Sequence, residues 1–239
     1  MKLTIIQTGH VPEALRGQFG SYPAMFERMF DRTGDGFSYA VVAASDGEPL
    51  PAPETLEGIV ITGSPAGVYD DLPWMEPLRS FIRQAYERRT PMLGVCFGHQ
   101  IMADALGGDV RKSDKGWGIG RHSYQVQSRP SFLAGAPAAL SIACSHQDQV
   151  MTPPAEAEVF LASSFAPNAG LFYRNGAALS VQPHPEFDDD YALTLAELRR
   201  GQAPDKTVDT AVASMITPSD SPVLCDAIAR FFHGASARR

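Results

Sequence analysis

The chain of 239 residues is long enough to bury a sizeable core, and its 44% hydrophobic and 20% charged residues are ordinary for a globular protein. The formal net charge of −7, with no stripe of Lys and Arg, argues against nucleic acid as the main partner. No apolar stretch approaches the ~20 residues of a membrane span, and residues 1–7 resemble a first strand rather than a signal peptide.

The three cysteines, Cys96, Cys144 and Cys225, are far apart and form no Cys-x-x-Cys pair. An odd and sparse set of thiols is typical of a reducing compartment and excludes a disulfide scaffold. It also disfavours a structural zinc site. We therefore expect a cytoplasmic protein without a metal ion or another cofactor.

The first half of the chain alternates between two kinds of segment. Runs rich in Val, Ile and Leu predict buried strands at 3–8, 39–44, 58–62 and 91–96. Helical spacing of apolar residues predicts helices at 23–32, 78–85 and 99–106. Strands that alternate with helices indicate βαβ units, and therefore a parallel sheet.

The second half begins with shorter β segments and ends in helices. The β segments are predicted at 123–127, 140–143, 158–163, 169–173 and 177–182, with an Asn-Gly turn before the last. One helix is predicted to begin at Asp188 or Asp189 and to end near Gly201, and another to run from Ser221 to Gly234. The polar stretch 202–220 predicts an irregular surface connection. We expect one domain over 1–239, with 187–239 as a C-terminal helical extension.

The stretch "GVCFG", residues 94–98, joins a predicted strand directly to a predicted helix. A cysteine with a glycine two residues to either side indicates a sharp turn, because Cβ atoms at those positions would collide with the neighbouring strand and helix. Such a nucleophile elbow exposes its central side chain above the carboxyl edge of a sheet. The helix N-terminus favours the thiolate form of Cys96. Burial of Cys96 as a small hydrophobic residue is the alternative.

A thiolate nucleophile needs a base, and "PHPE" at 183–186 offers one. Residues i and i+2 of an extended segment face the same side, so His184 and Glu186 project together. The flanking prolines Pro183 and Pro185 restrict the backbone there. A carboxylate beside an imidazole selects its tautomer and stabilises the imidazolium. Cys96, His184 and Glu186 therefore form a candidate catalytic triad.

Acyl transfer also needs donors for the developing oxyanion. The backbone N–H of Phe97 follows the nucleophile, and the loop of Gly63, Ser64 and Pro65 leaves a predicted strand at the same sheet edge. Such a loop can turn successive N–H groups toward an anion. An ordinary glycine turn is the alternative interpretation.

These residues resemble the class I, triad-type glutamine amidotransferases, a family that includes the glutaminase domain of guanosine monophosphate synthetase. The motifs that carry the resemblance are "GSPAG" at 63–67, "GVCFGHQ" at 94–100, "SHQDQV" at 145–150 and "HPE" at 184–186. The family implies a flavodoxin-like three-layer α/β/α fold with a mostly parallel central sheet. The later β segments would add hairpin strands to it.

The resemblance also implies the chemistry and the roles of the site residues. Cys96 would attack the side-chain amide of glutamine, His184 would protonate the leaving ammonia, and water would release glutamate. Ser64 and Phe97 match the residues whose N–H groups form the oxyanion hole. Substrate contacts would come from Gln100, Ser145, His146 and Gln147.

Two positions depart from the family pattern. Ser64 replaces the second glycine of the usual Gly-Gly-Pro, so the loop must accommodate a side chain. Gln147 stands where the family often has glycine. Both surround the substrate, so they bear on its identity more than on the reaction. For His146 we favour a structural role in the pocket over a catalytic one.

Three functions remain open at this point. The first is a glutamine amidotransferase that supplies ammonia to an acceptor on a separate synthetase subunit, since the chain contains no Walker motif or second domain. The second is a free-standing γ-glutamyl peptidase or hydrolase acting on γ-glutamyl peptides or conjugates. The third is a non-catalytic binding or redox-sensing protein, against which the intact His184 and Glu186 argue.

Overall fold

The computed structural model describes residues 1–237, so the last two residues of the predicted C-terminal extension lie outside it. Its strands are β1 Lys2–Ile6, β2 Ser38–Val42, β3 Gly58–Ile61, β4 Met92–Val95, β5 Asp109–Lys112, β6 Gly118–Val126, β7 Ala139–His146, β8 Asp148–Thr152, β9 Ala157–Ala162, β10 Gly170–Tyr173 and β11 Ala178–Val181. Its α-helices are α1 Glu13–Phe19, α2 Tyr22–Asp31, α3 Met75–Glu87, α4 Phe97–Ala105, α5 Asp189–Leu198, α6 Asp205–Ser214 and α7 Ser221–Ser236.

A central sheet with strand order β2-β1-β3-β4-β11-β10-β9-β6-β7 organises the molecule. The pairings from β2 to β11 are parallel, and those from β11 to β7 are antiparallel. Strands β5 and β8 form a separate antiparallel pair. The predicted α/β fold class is therefore confirmed, and the predicted hairpin strands of the second half form the antiparallel part of a mixed sheet.

Two apolar cores lie on opposite faces of the sheet. In β3, Val60 packs into one core with α2 and α7, whereas Ile59 and Ile61 pack into the other with α3 and α4. This division follows from the two-residue period of a strand, because alternate side chains point to opposite faces. Burial on both faces explains the continuous apolar runs of β1, β3 and β4. The prediction of a buried strand at 39–44 was wrong, because β2 lies at the edge of the sheet and is only partly buried.

The C-terminal region differs from its prediction at two points. Residues 202–220 are not simply an irregular connection, because α6 occupies part of them and buries Val208 and Ala211 against β6. At Gly120 of β6, whose φ is +84°, an added Cβ would lie 2.6 Å from the Ala211 Cα, so glycine permits this close approach. The last helix also continues past Gly234 to Ser236.

Three short elements were absent from the prediction, namely α1, β5 and β8. All three elements are short, and a short segment gives only a weak periodic pattern in the sequence. Strands β5 and β8 also lie outside the central sheet and pair with each other. Within residues 1–237, no helix combines the length and apolar character needed to cross a membrane. The cytoplasmic location stays a prediction.

The carboxyl ends of three adjacent parallel strands determine where the candidate site lies. Strand β4 pairs with β3 on one side and with β11 on the other, all in the same direction. The loop after β3, the turn after β4 and the segment after β11 therefore meet at one edge of the sheet. In open α/β folds this edge is where ligands bind.

Candidate active site

Cys96 lies on a strained turn between β4 and α4. Its φ of 55° and ψ of −105° are unusual for a residue other than glycine. The Cys96 N–H donates to the Val181 carbonyl at 2.9 Å, which ties the turn to the end of β11. The residue is the N-cap of α4, so its thiol lies at the positive end of the helix dipole.

The glycines on either side of Cys96 are required by two close approaches. A Cβ at Gly94 would meet the Gly98 carbonyl and lie 2.6 Å from the Met102 Sδ. A Cβ at Gly98 would meet the Ile61 carbonyl of β3. The start of α4 therefore packs closely against both β4 and β3, as the Gly-x-Cys-x-Gly spacing predicts.

His184 and Glu186 lie next to Cys96, just beyond β11. The His184 Nδ1 is 2.7 Å from the Glu186 Oε1, and both side chains are buried. The His184 N–H donates to the Ala143 carbonyl at 2.9 Å, which fixes this segment to β7. Burial by itself lowers the pKa of His184, but the neighbouring Glu186 carboxylate and Cys96 sulfur outweigh it and raise that pKa. The arrangement favours an imidazolium beside the sulfur.

The loop after β3 carries Ser64 to the other side of Cys96. The position of a Cβ at Gly63 would be 3.2 Å from the His184 Cε1 and 3.7 Å from the Cys96 Cβ, so this loop closely flanks both residues. The Ser64 Oγ accepts the Ala66 N–H at 3.2 Å, which accommodates the side chain that replaces a glycine. Within residues 1–237, the Ser64 and Phe97 N–H groups donate to no protein acceptor. Their role as oxyanion donors remains a proposal.

A small polar cavity of about 210 Å³ opens at Cys96. It contains all four residues for which substrate contacts are predicted, together with acidic and basic side chains. Its lining is Ser64, Pro65, Ala66, Gly67, Tyr69, Asp70, Cys96, Gln100, Lys112, Trp117, Ser145, His146, Gln147, Asp148 and Arg199. Charges of both signs suit a ligand that carries both an ammonium and a carboxylate group.

Two of these residues have side chains held by hydrogen bonds to the protein. The Gln100 Nε2 donates to the Asp148 carbonyl at 2.9 Å and to the Gln182 Oε1 at 3.1 Å. The His146 Nδ1 lies 2.9 Å from the same Asp148 carbonyl. Burial lowers the pKa of His146 to about 3, so the ring is neutral and its Nδ1 donates this bond. These contacts favour a structural role for His146 in shaping the cavity.

A larger cavity of about 510 Å³ also opens at Cys96 and shares Ser145 and Arg199 with the small one. Most of its wall is apolar. Its lining is Thr8, Gly9, His10, Val11, Pro12, Arg16, Tyr22, Ser45, Gly63, Ser64, Pro65, Ala66, Leu72, Trp74, Cys96, Ser145, His184, Phe187, Leu195 and Arg199. Its volume is within the range of ligand pockets, so Cys96 lies where two possible binding spaces meet.

Two residues of the site, Phe187 and Arg199, were not predicted from the sequence. Phe187 lies directly after the His-Pro-Glu segment and its ring stacks on the His184 imidazole. Arg199, at the end of α5, lines both cavities. Phe187 could have been suspected because it directly follows Glu186 in the sequence. No local pattern distinguishes Arg199 from Arg200, which pairs with Glu197 and Asp209 instead.

The remaining cysteines are both buried. Burial raises the pKa of Cys144 and of Cys225 to about 12 in each case. Both thiols are therefore protonated at neutral pH. Within residues 1–237, no group of three His, Cys, Asp or Glu side chains is arranged to hold a metal ion.

Comparisons with known proteins agree on a family. The profile of the glutamine amidotransferase class-I family matches residues 25–191. The chain is 29% identical over 180 residues to a glutamine amidotransferase-like protein of Schizosaccharomyces pombe, covering 74% of this chain and 72% of that protein. It is 27% identical over 231 residues to gamma-glutamyl peptidase 3 of Arabidopsis thaliana, covering 92% and 91%. A solved glutamine amidotransferase from Thermotoga maritima has the same fold, with a TM-score of 0.74 at 22% identity over 97% of this chain and 98% of that one.

Proposed function

Because this chain belongs to the class-I glutamine amidotransferase family, we propose that it hydrolyses γ-glutamyl amides through a thioester on Cys96. The reaction would begin with attack of the thiolate on the γ-carbonyl carbon, which forms a C–S bond. The oxyanion would accept hydrogen bonds from the backbone N–H groups of Ser64 and Phe97. These roles are supported by the position of all three residues at one sheet edge.

His184 would then move the protons. The imidazolium donates a proton to the amide nitrogen as the C–N bond breaks, so the leaving group departs as an amine or ammonia. The neutral ring takes a proton from water, which attacks the thioester carbonyl and releases glutamate with the thiolate restored. Glu186 holds the ring through Nδ1 and stabilises its charged form.

The large cavity is the observation that favours substrates bigger than glutamine. With the γ-glutamyl group in the small polar cavity, the leaving group would lie in the adjoining cavity of about 510 Å³. Ammonia occupies a minor part of that space, whereas an amino acid or a peptide would bury apolar surface there. Binding energy from this remote part can be realised in the transition state and raises kcat/KM. We therefore favour a free-standing γ-glutamyl hydrolase.

Ammonia transfer to a separate synthetase subunit is the second candidate. It is supported by apolar surface at the mouth of the large cavity, where Leu72 is 40% exposed. An adjoining groove of about 460 Å³ is lined by Ala44, Ser45, Gly47, Glu48, Pro49, Leu50, Pro73, Trp74 and Pro77. A partner that covered this groove would enclose the cavity and keep released ammonia from solvent.

Glutamate release by the purified chain tests the proposal. The assay compares glutamine with γ-glutamyl dipeptides, and Cys96→Ser provides the inactive reference, with a loss on the order of 10⁴–10⁶. We expect kcat/KM for a dipeptide to match or exceed that for glutamine. Activity with glutamine alone, appearing after a second protein is added, would instead support the amidotransferase. Absence of hydrolysis of every γ-glutamyl amide would leave a binding or redox-sensing role.

A further inference from the structure

Arg199 presents a half-buried guanidinium at the junction of the two cavities. Its Cζ lies 4.5 Å from the centroid of the Trp117 ring, a cation–π arrangement that fixes the plane of the group. Its Nη1 donates to the Gln202 Oε1 at 3.2 Å and its Nη2 to the Ser145 Oγ at 3.5 Å. The Nε is buried and, among residues 1–237, finds no acceptor.

No carboxylate of the described chain compensates this charge. The ion pairs within residues 1–237 do not include Arg199, although the next residue, Arg200, pairs with Glu197 at 2.6 Å and with Asp209 at 2.8 Å. Burial of a cation without an anion is unfavourable. Nη1 and Nη2 each carry a second N–H that makes no hydrogen bond within the described residues, and a rigidly held guanidinium with such donors is suited to a ligand carboxylate.

The charges of the large cavity point to the same ligand chemistry. Its lining residues, which all belong to the described part of the chain, include Arg16 and Arg199 but no Asp or Glu. Asp46 lies outside the lining and pairs with His10 at 2.8 Å. A leaving group in this cavity would therefore meet apolar side chains, the two arginines and the His184 imidazolium, which favours an apolar group with a negative charge.

Both arginines also lie outside the part of the chain that matches the family profile. The profile covers residues 25–191, whereas Arg16 precedes it and Arg199 follows it. The cavity-lining residues Val11 and Leu195 lie outside the matched range as well. The match to the family profile therefore carries no information about either arginine.

We infer that Arg199 binds the α-carboxylate of a leaving amino acid and thereby selects γ-glutamyl amino acids over γ-glutamyl amines of the same shape. The inference rests on the proposed γ-glutamyl hydrolase function. In a γ-glutamyl amino acid, one carbon atom separates the scissile nitrogen from this carboxylate, so it must lie close to Cys96, where the cavities meet. The α-carboxylate of the γ-glutamyl group extends from the scissile carbonyl carbon in the opposite direction, away from the leaving group and into the small cavity.

A pair of substrates that differ by one carboxylate tests this inference. γ-Glutamyl-leucine and γ-glutamyl-isoamylamide share the same apolar group, and the ratio of their kcat/KM values isolates the contribution of the carboxylate. A charge-assisted hydrogen bond to it predicts a ratio of about ten to a hundred in the unaltered enzyme. Arg199→Gln should bring the ratio close to one. Arg199→Lys should retain part of it, because lysine keeps the charge but loses the planar fork.

Arg200→Gln is the matched control, since Arg200 is the adjacent residue and lines neither cavity. A purely structural role of Arg199 would lower kcat/KM for both substrates and leave the ratio unchanged, which would overturn the inference. If Arg16→Gln rather than Arg199→Gln brought the ratio of the kcat/KM values close to one, the carboxylate would bind at Arg16, and the inference would also be overturned. Cleavage of both conjugates with a ratio near one would refute the selection and retain the hydrolase, whereas cleavage of neither would refute the proposed hydrolase.

Discussion

The His184 imidazole lies parallel to the Phe187 ring, with 3.9 Å between the ring centroids and 8° between the planes. Phe187 is itself held edge-on by Tyr191, at 4.6 Å between centroids. Glu186 fixes one ring nitrogen of His184, and this stack fixes the ring plane. The imidazole is consequently held both by a hydrogen bond and by packing, which leaves one orientation toward Cys96.

Phe187→Leu should lower kcat more than it changes KM. Leucine keeps an apolar side chain but cannot stack on the imidazole, so the ring gains freedom and the proton transfer is less well aligned. We expect a decrease of about ten- to a hundredfold in kcat, measured by glutamate release. Phe19→Leu is the control, because Phe19 contacts the same Tyr191 at 5.2 Å and does not line either cavity. Equal effects of both changes would indicate a general loss of packing.

Cys96 should react with iodoacetamide much faster than the other two thiols. It lies at a helix N-terminus beside an imidazolium, whereas burial raises the pKa of Cys144 and Cys225 to about 12. Peptide mapping after a brief exposure measures the three rates. His184→Ala should slow labelling of Cys96 without changing the other two. Equal labelling of all three cysteines would contradict the assignment of the nucleophile.

Glu186→Gln should shift the alkaline limb of the activity profile to lower pH. The Glu186 carboxylate is a main cause of the raised pKa of His184, so its removal lets the imidazolium lose its proton at lower pH. At the optimum the loss should be smaller than that of His184→Ala, because the proposed base, His184, is still present. The profile of kcat/KM against pH measures both effects, with the exposed Glu76→Gln as the control. An unshifted limb would mean that another group sets the charge of His184.

The same pair affects stability in a defined direction. The pKa of His184 in the folded state is raised above its ordinary value of about 6.5. The ion pair therefore contributes stability that is fully present below about pH 6.5 and is lost as the pH rises through the raised value. Glu186→Gln should remove this contribution, so the two proteins should differ more in free energy of unfolding at acidic than at alkaline pH.

Gly98→Ala should destabilise the protein by about 3 kcal/mol or more, because the added Cβ meets backbone that cannot move aside. Gly17→Ala is the matched control. Gly17 lies within α1, no atom outside the adjoining backbone lies within 4 Å of its Cβ position, and alanine should stabilise the helix by about 0.5–1 kcal/mol. Urea unfolding measures both changes. Similar midpoints for Gly98→Ala and the unaltered protein would show that the elbow tolerates a side chain.

The features that the sequence predicts well depend on neighbouring residues. The Gly-x-Cys-x-Gly turn is recognisable because its steric requirement lies within five residues. The His-Pro-Glu pair is recognisable because residues i and i+2 of an extended segment share a side. The buried strands are recognisable because two covered faces require continuous apolar runs. The alternation of these runs with helical patterns was sufficient for the α/β fold class.

The features that the sequence does not predict depend on contacts between distant segments. Helix α6 is polar and weakly periodic, and it is stabilised by packing on β6 at Gly120. The large cavity is lined by residues of α1, α2 and α5, which are far apart in the sequence. Arg199 and Arg200 are adjacent in the chain, but the side chain of Arg199 lines the cavity, whereas that of Arg200 pairs with Asp209. Local patterns determine the turn that bears Cys96, because sterics act between neighbours in the chain. Tertiary packing alone decides which charges face the two cavities, because it brings together residues that are far apart in the sequence.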